Sequence, residues 1–108
     1  MIRKNLTMVR GDTMQFDLTL NNVQATVVSV DFTCKVDGTD TTPVFHKALG
    51  DGVTPVGDNI YRIRVAPEDT ASVDAGKYVH DLQLGLGSDI YTIMLGELTL
   101  LQDVTSNT

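Results

Sequence analysis

The stretch Asp74-Ala75-Gly76-Lys77-Tyr78, running on into Val79-His80-Asp81-Leu82-Gln83-Leu84, reads as a tight corner followed by a strand. Tyr78, His80, Leu82 and Leu84 fall on one face and Val79, Asp81 and Gln83 on the other, which is the period of two of extended chain. A tyrosine just after such a turn can send its hydroxyl back to backbone groups upstream and so pin the corner. The chain next turns at Gly85-Leu86-Gly87-Ser88-Asp89 and returns through Ile90 to Leu101, so corner, strand and hairpin form one unit.

Working outward, Met14, Phe16, Leu18 and Leu20 alternate with Gln15, Asp17, Thr19 and Asn21, the pattern of a half-buried strand. Asn21-Asn22 supplies turn residues. Val28, Val30, Phe32, Cys34 and Val36 then point inward against Ser29, Asp31, Thr33 and Lys35. Val44 to Leu49 is a shorter, less regular strand. Gly50-Asp51-Gly52, Pro55 and Gly57-Asp58-Asn59 leave room for one extended piece around Val53. Ile60 to Val65 is again a strand, with Tyr61, Ile63 and Val65 facing one way and Arg62 and Arg64 the other. Pro67-Glu68-Asp69-Thr70-Ala71 has proline and acids where a first helical turn accepts them. In the returning strand Gly96 is expected to mark a bulge. The polar tail, residues 103–108, is expected to fray. The reading is all-β: a sandwich of about seven antiparallel strands with at most one short helical turn, in a single domain over residues 1–108.

The 108-residue length suits one core, and 42% apolar and 20% charged residues describe a chain that folds. A formal charge of −6 with cations scattered singly argues against nucleic acid, whose phosphates require clustered Lys and Arg. No apolar run has the length of a signal peptide or a membrane span. Cys34 is the single cysteine, so no intrachain disulfide forms.

Catalysis and metal binding need groups that converge, and the residues do not supply them. His46 and His80 lie in no metal spacing; His80 reads as a hydrogen-bonded core residue and His46 as solvated. Cys34 reads as a small buried hydrophobe. Asp37, Asp40, Asp51 and Asp58 match no calcium loop and read as turn residues. Arg10-Gly11-Asp12 has the letters of an adhesion tripeptide and the setting of a turn before a strand. No catalytic residue, cofactor or metal site is expected. The segment Ile90-Tyr91-Thr92-Ile93-Met94-Leu95 is apolar on both faces, whereas a sandwich strand ordinarily leaves one face wet. Its second face, with Tyr91, Ile93 and Leu95, is covered either by a loop or the N-terminal segment Ile2 to Val9, or by another subunit.

The corner resembles that leading into the sixth strand of immunoglobulin-like sandwiches, although the buried Trp and paired Cys of antibody domains are missing and His80 stands where the second Cys would be. The order of features is also similar to the N-terminal domain of phage baseplate upper proteins and their tail and fibre relatives. The resembling pieces are Met8-Val9-Arg10-Gly11-Asp12-Thr13, Tyr61-Arg62-Ile63 before Pro67-Glu68-Asp69-Thr70, Gly76-Lys77-Tyr78 with Asp81-Leu82-Gln83-Leu84, and Tyr91-Thr92-Ile93 to Gly96-Glu97-Leu98-Thr99-Leu100 with Asp103-Val104-Thr105. The resemblance implies a non-enzymatic structural protein of a virion tail, baseplate or other appendage, synthesised in the bacterial host cytoplasm. Such a protein works as a homo-oligomer or against other virion proteins and meets host-surface carbohydrate indirectly. The alternative is a carbohydrate-binding or adhesion module using end loops such as Gly50 to Asn59.

Overall fold

The computed structural model describes residues 1–21, 23 and 25–105. Nine strands are found among them: β1 (Ile2–Arg3), β2 (Leu6–Val9), β3 (Met14–Thr19), β4 (Val27–Lys35), β5 (Phe45–Leu49), β6 (Gly52–Gly57), β7 (Ile60–Val65), β8 (Gly76–Leu86) and β9 (Asp89–Leu101). One helical turn, α1 (Pro67–Thr70), precedes β8. The turn expected at Asn21-Asn22 and the end of the tail at Ser106 to Thr108 fall partly outside the described residues.

The strands hydrogen-bond in the order β1-β9-β8-β4-β5-β6-β7-β3, with β2 also on β9. Between β5 and β6 the chain makes a tight loop in which Gly50 and Gly52 take φ of 84° and 93°, and the two strands touch in parallel at Ala48↔Gly52 and Leu49↔Val53. The layer β9-β8-β4-β5 thereby faces β3 and β7. Phe16 of β3 meets Phe32 of β4 edge-on across the gap, ring centroids 5.4 Å apart. Around them Val30, Cys34, Ile63, Val65, Leu82, Leu98 and Leu100 are buried, as their alternation requires. The fold is an all-β, immunoglobulin-like sandwich.

Three details depart from the sequence reading. The sheet is mixed, because the N-terminal segment enters beside the last strand and runs parallel to it, pairing Ile2 with Met94 and Leu6 with Leu98. That segment, as β1 and β2, raises the strand number from seven to nine, and the extended piece expected around Val53 is β6. The bulge lies one turn of the pleat away from Gly96: Leu82 pairs with Met94 and Gln83 with Thr92, so Ile93 is the extra residue. A second irregularity, between Val27 and Ser29, turns Val27 toward the core and leaves Val28 exposed; Val36, past the end of β4, is exposed too.

Candidate interaction surface around the terminal strand

The Asp74–Tyr78 corner is built as its residues imply. Gly76 gives the turn its left-handed backbone, Tyr78 is buried, and its hydroxyl donates to the Asp74 carbonyl. Burial, helped by the nearby Asp74 charge, pushes the phenol above its ordinary value. The corner thereby fixes the start of β8, the strand between β4 and β9.

On the outer face of this layer the registers place Thr33, Asp81 and Leu95 side by side, with Lys35, Val79 and Glu97 in the next row. Between them runs an open trough of about 330 Å³, lined by Thr33, Lys35, Val79, Asp81, Gln83 and Leu95. Asp81 is half-buried, and that desolvation raises its carboxyl above the usual carboxylate range against the pull of Lys35 and His80. A second hollow, lined by Arg3, Asn5, Val79, Leu95, Gly96 and Glu97, adjoins it at Val79 and Leu95.

The bulge at Ile93 divides the residues that simple alternation had put on one face. Leu95 lies outward beside Asp81, Ile93 packs against the core cluster, and Tyr91, opposite Leu84, is 50% exposed. Ile90, opposite Gly85, is 67% exposed. The segment Ile2 to Val9 lies along the edge of β9 and leaves its outer face open. Pairing with β1 begins at Met94, so among the described residues Asp89 to Ile93 has no strand on its far side.

His80 is buried inward, its Nε2 2.8 Å from the Lys4 carbonyl oxygen and its ring 5.7 Å from that of Phe32. Burial is the main cause that holds its imidazole below the ordinary histidine range. Cys34 is buried and its thiol is pushed up to about 12, far from thiolate reactivity. His46 lies partly exposed on β5, 2.7 Å from Asp31. Asp37 accepts from the backbone N–H and the hydroxyl of Thr39, a turn bond that lowers its carboxyl. Arg10 is not displayed: Nε donates to Asp103 at 3.0 Å, while buried Gly11 donates its N–H to Thr70 Oγ1 at 2.9 Å. Among the described residues no three His, Cys, Asp or Glu side chains converge for a metal ion.

The sequence reading missed one polar pair. Lys47 points inward from β5 and reaches Asp69 of α1 at 2.7 Å, with both side chains largely buried. Asp69 also accepts the N–H of Ala66 at 2.7 Å, so one carboxylate caps the helical turn and fixes the lysine. The signal was faint: Phe45, Lys47 and Leu49 share a face, and Lys47 passes over Gly52, where a Cβ would strike its side chain.

No family model and no curated protein matches the chain. Solved structures share its fold. It superposes on an endo-β-1,4-mannanase from Thermotoga petrophila with a TM-score of 0.61 at 8% identity, over 93% of this chain and 18% of that one. The NK cell receptor NKp44 gives 0.55 at 12% identity, over 95% of this chain and 100% of the receptor chain. Murine CRIg gives 0.51 at 9%, over 92% of each. The chain thus spans less than a fifth of the mannanase, and at these identities the likeness is one of fold: an immunoglobulin-like sandwich.

Proposed function

We propose that this chain is a non-enzymatic structural module of a bacteriophage virion, in a tail, baseplate or other appendage, and that it assembles with copies of itself or with neighbouring virion proteins. The observation that carries the assembly reading is the apolar, unpaired start of β9. Ile90 and Tyr91 are exposed by 67% and 50%, Ile2, which pairs with Met94, by 65%, and no strand flanks Asp89 to Ile93 among the described residues. Apolar surface gathered at an unpaired strand is surface that association removes from water. Leu95, over the trough on the outer face beyond the bulge, is a second contact position. The virion setting rests on the order of sequence features, and the protein then resides in the particle.

Light scattering after size-exclusion chromatography, over about a hundredfold range of concentration, tests the reading because association follows mass action. The expected result is a stable trimer, hexamer or larger ring, reduced to a folded monomer by Tyr91→Asp or Leu95→Asp. Ile93 is a poor probe, because its side chain also supports the core. A persistent monomer removes self-assembly, and specific binding on a glycan array would favour the carbohydrate-binding alternative.

A further inference from the structure

Three contacts meet where β1 passes into β2. Lys4 N donates to Leu95 O at 3.0 Å, Glu97 N donates to Asn5 Oδ1 at 3.0 Å, and His80 Nε2 lies 2.8 Å from Lys4 O. The imidazole reaches that carbonyl because its neighbour on β9 is Gly96; a Cβ there would overlap the Lys4 carbonyl. A carbonyl oxygen only accepts, so Nε2 carries the proton and donates it, and Nδ1 is the bare nitrogen. Nδ1 is buried without a partner among the described residues.

A second proton on Nδ1 would put an unpaired N–H and a charge in the core, with no acceptor to receive either. The one anion whose charge favours the protonated ring is Asp81, and burial of the ring outweighs that pull and the bond to Lys4. From β4 come Phe32 and Cys34, whose thiol is neutral. On β8, Tyr78 is committed to Asp74, and Asp81 lies on the opposite face. From β9 come Gly96 and the exposed, outward Glu97. Lys47 of β5 is held by Asp69, Tyr61 is the ionisable group on the inward side of β7, and β3 offers apolar side chains. The connection between β1 and β2 offers the Lys4 carbonyl and an exposed lysine.

We propose that His80 is an acid-released latch: neutral, it ties the Lys4 carbonyl over Gly96 and holds β1 on the edge of β9; doubly protonated, it leaves the core and frees the N-terminal strand. The ring is 2% exposed, and Lys4 and Asn5 lie over Gly96, its neighbour on β9, so lifting them uncovers that side of the ring. β2 keeps its pairing from Leu6↔Leu98 to Val9↔Leu101, which makes Lys4-Asn5 the hinge. The proton acts as a ligand that prefers the open form, and its leverage is bounded by that preference. With an ordinary value near 6.5 in the open form, the opening constant rises up to about thirtyfold between pH 7.5 and pH 5.

Amide hydrogen exchange, corrected for the intrinsic effect of pH, tests this on the intact chain. The expected result is that protection of the Lys4 and Glu97 amides falls by about tenfold or more from pH 7.5 to pH 5 while the β4–β8 ladder holds. His80→Gln, which keeps a side-chain N–H donor and does not titrate, should abolish the pH dependence. Equal protection of Lys4 at both pH values, or the same acid loss in His80→Gln, overturns the latch. Should the variant fail to fold, imidazole NMR of the parent chain decides: a ring that titrates at or above the ordinary histidine value in the folded state refutes the proposal, and one that resists protonation until β1 signals broaden supports it.

Discussion

Replacing Gly96 with Ala is the sharpest single test of how the N-terminal strand is held. The residue needs no unusual backbone, since its φ is not among the positive values. What it needs is space: a Cβ would overlap the Lys4 carbonyl oxygen and lie 2.7 Å from its carbon. Backbone atoms cannot swing aside as the end of a lysine can, so Lys4-Asn5 must lift from β9. Lifting breaks the Lys4–Leu95, Asn5–Glu97 and His80–Lys4 hydrogen bonds together. At about 1 kcal/mol each, with a further desolvation cost for the stranded imidazole, less the stiffening that Ala brings to the unfolded chain, the net loss is about 2–4 kcal/mol. For a domain of this size that lowers the melting temperature by roughly 10–20 °C. Urea denaturation gives the free energy, and Gly38→Ala, where nothing lies within 4 Å of the added carbon, is the control expected to change little. A Gly96→Ala protein within about 0.5 kcal/mol of its parent, with the Lys4 amide still protected, would refute the close-approach argument.

Other outcomes follow from the same geometry. Tyr78→Phe keeps the buried ring and deletes the bond to Asp74, and denaturation should show a loss of about 1 kcal/mol; no loss would mean the corner holds by packing alone. Lys47→Ala leaves Asp69 without its cation and should cost about 3 kcal/mol, with Lys47→Met costing distinctly less because it refills the space over Gly52; equal costs would show that the packing over Gly52 contributes nothing, and a Met variant as stable as the parent would show that the ion pair contributes nothing. Cys34 should react with a thiol reagent at pH 8 only as fast as the whole chain opens, since burial pushes its thiol to about 12; rapid labelling of folded protein would contradict that burial. Asp81 is raised above its unfolded value, so its ionisation opposes folding above the folded value, and that penalty fades as pH falls below the unfolded value. Asp81→Asn should therefore stabilise the chain at pH 7 and make no difference near pH 3, as parallel melts at the two pH values would reveal.

The elements legible in the sequence were those whose cause is local. Tyr78 after Gly76, the alternation through β8 and a hairpin turn within Gly85 to Asp89 need only neighbours along the chain, and they appear in the structure, with the turn tightened to Gly87-Ser88 because the ladder runs on to Leu86 and Asp89. His80 also proved to be a hydrogen-bonded core residue, although its partner, 76 positions away, could not be read from spacing. What alternation could not supply was the phase of the long strands. One extra residue at Ile93 reverses every later side chain of β9, and the same slip at Val28 exposes a valine that strict alternation buries. Gly96 did carry information, but about a carbonyl crossing above it, which is indistinguishable in sequence from a bulge glycine. Lys47 broke the pattern for a similar reason, because its counterion lies on α1.

The position of the bulge also bears on how β9 can meet a partner. Flat, unpaired strand edges invite further strands, and a bulge twists an edge and interrupts its ladder. Here the irregularity falls at Ile93, at the boundary between the open stretch Asp89 to Ile93 and the stretch from Met94 onward that β1 and β2 cover. A partner strand cannot run in one register across that boundary. Contact at the open stretch is therefore expected through the side chains of Ile90 and Tyr91, leaving β1 in place, whereas extension of the ladder requires β1 to leave Met94 and Leu95 first. The two modes separate experimentally: association through Ile90 and Tyr91 should be indifferent to His80→Gln and abolished by Tyr91→Asp, and association by ladder extension should appear at acid pH and depend on His80.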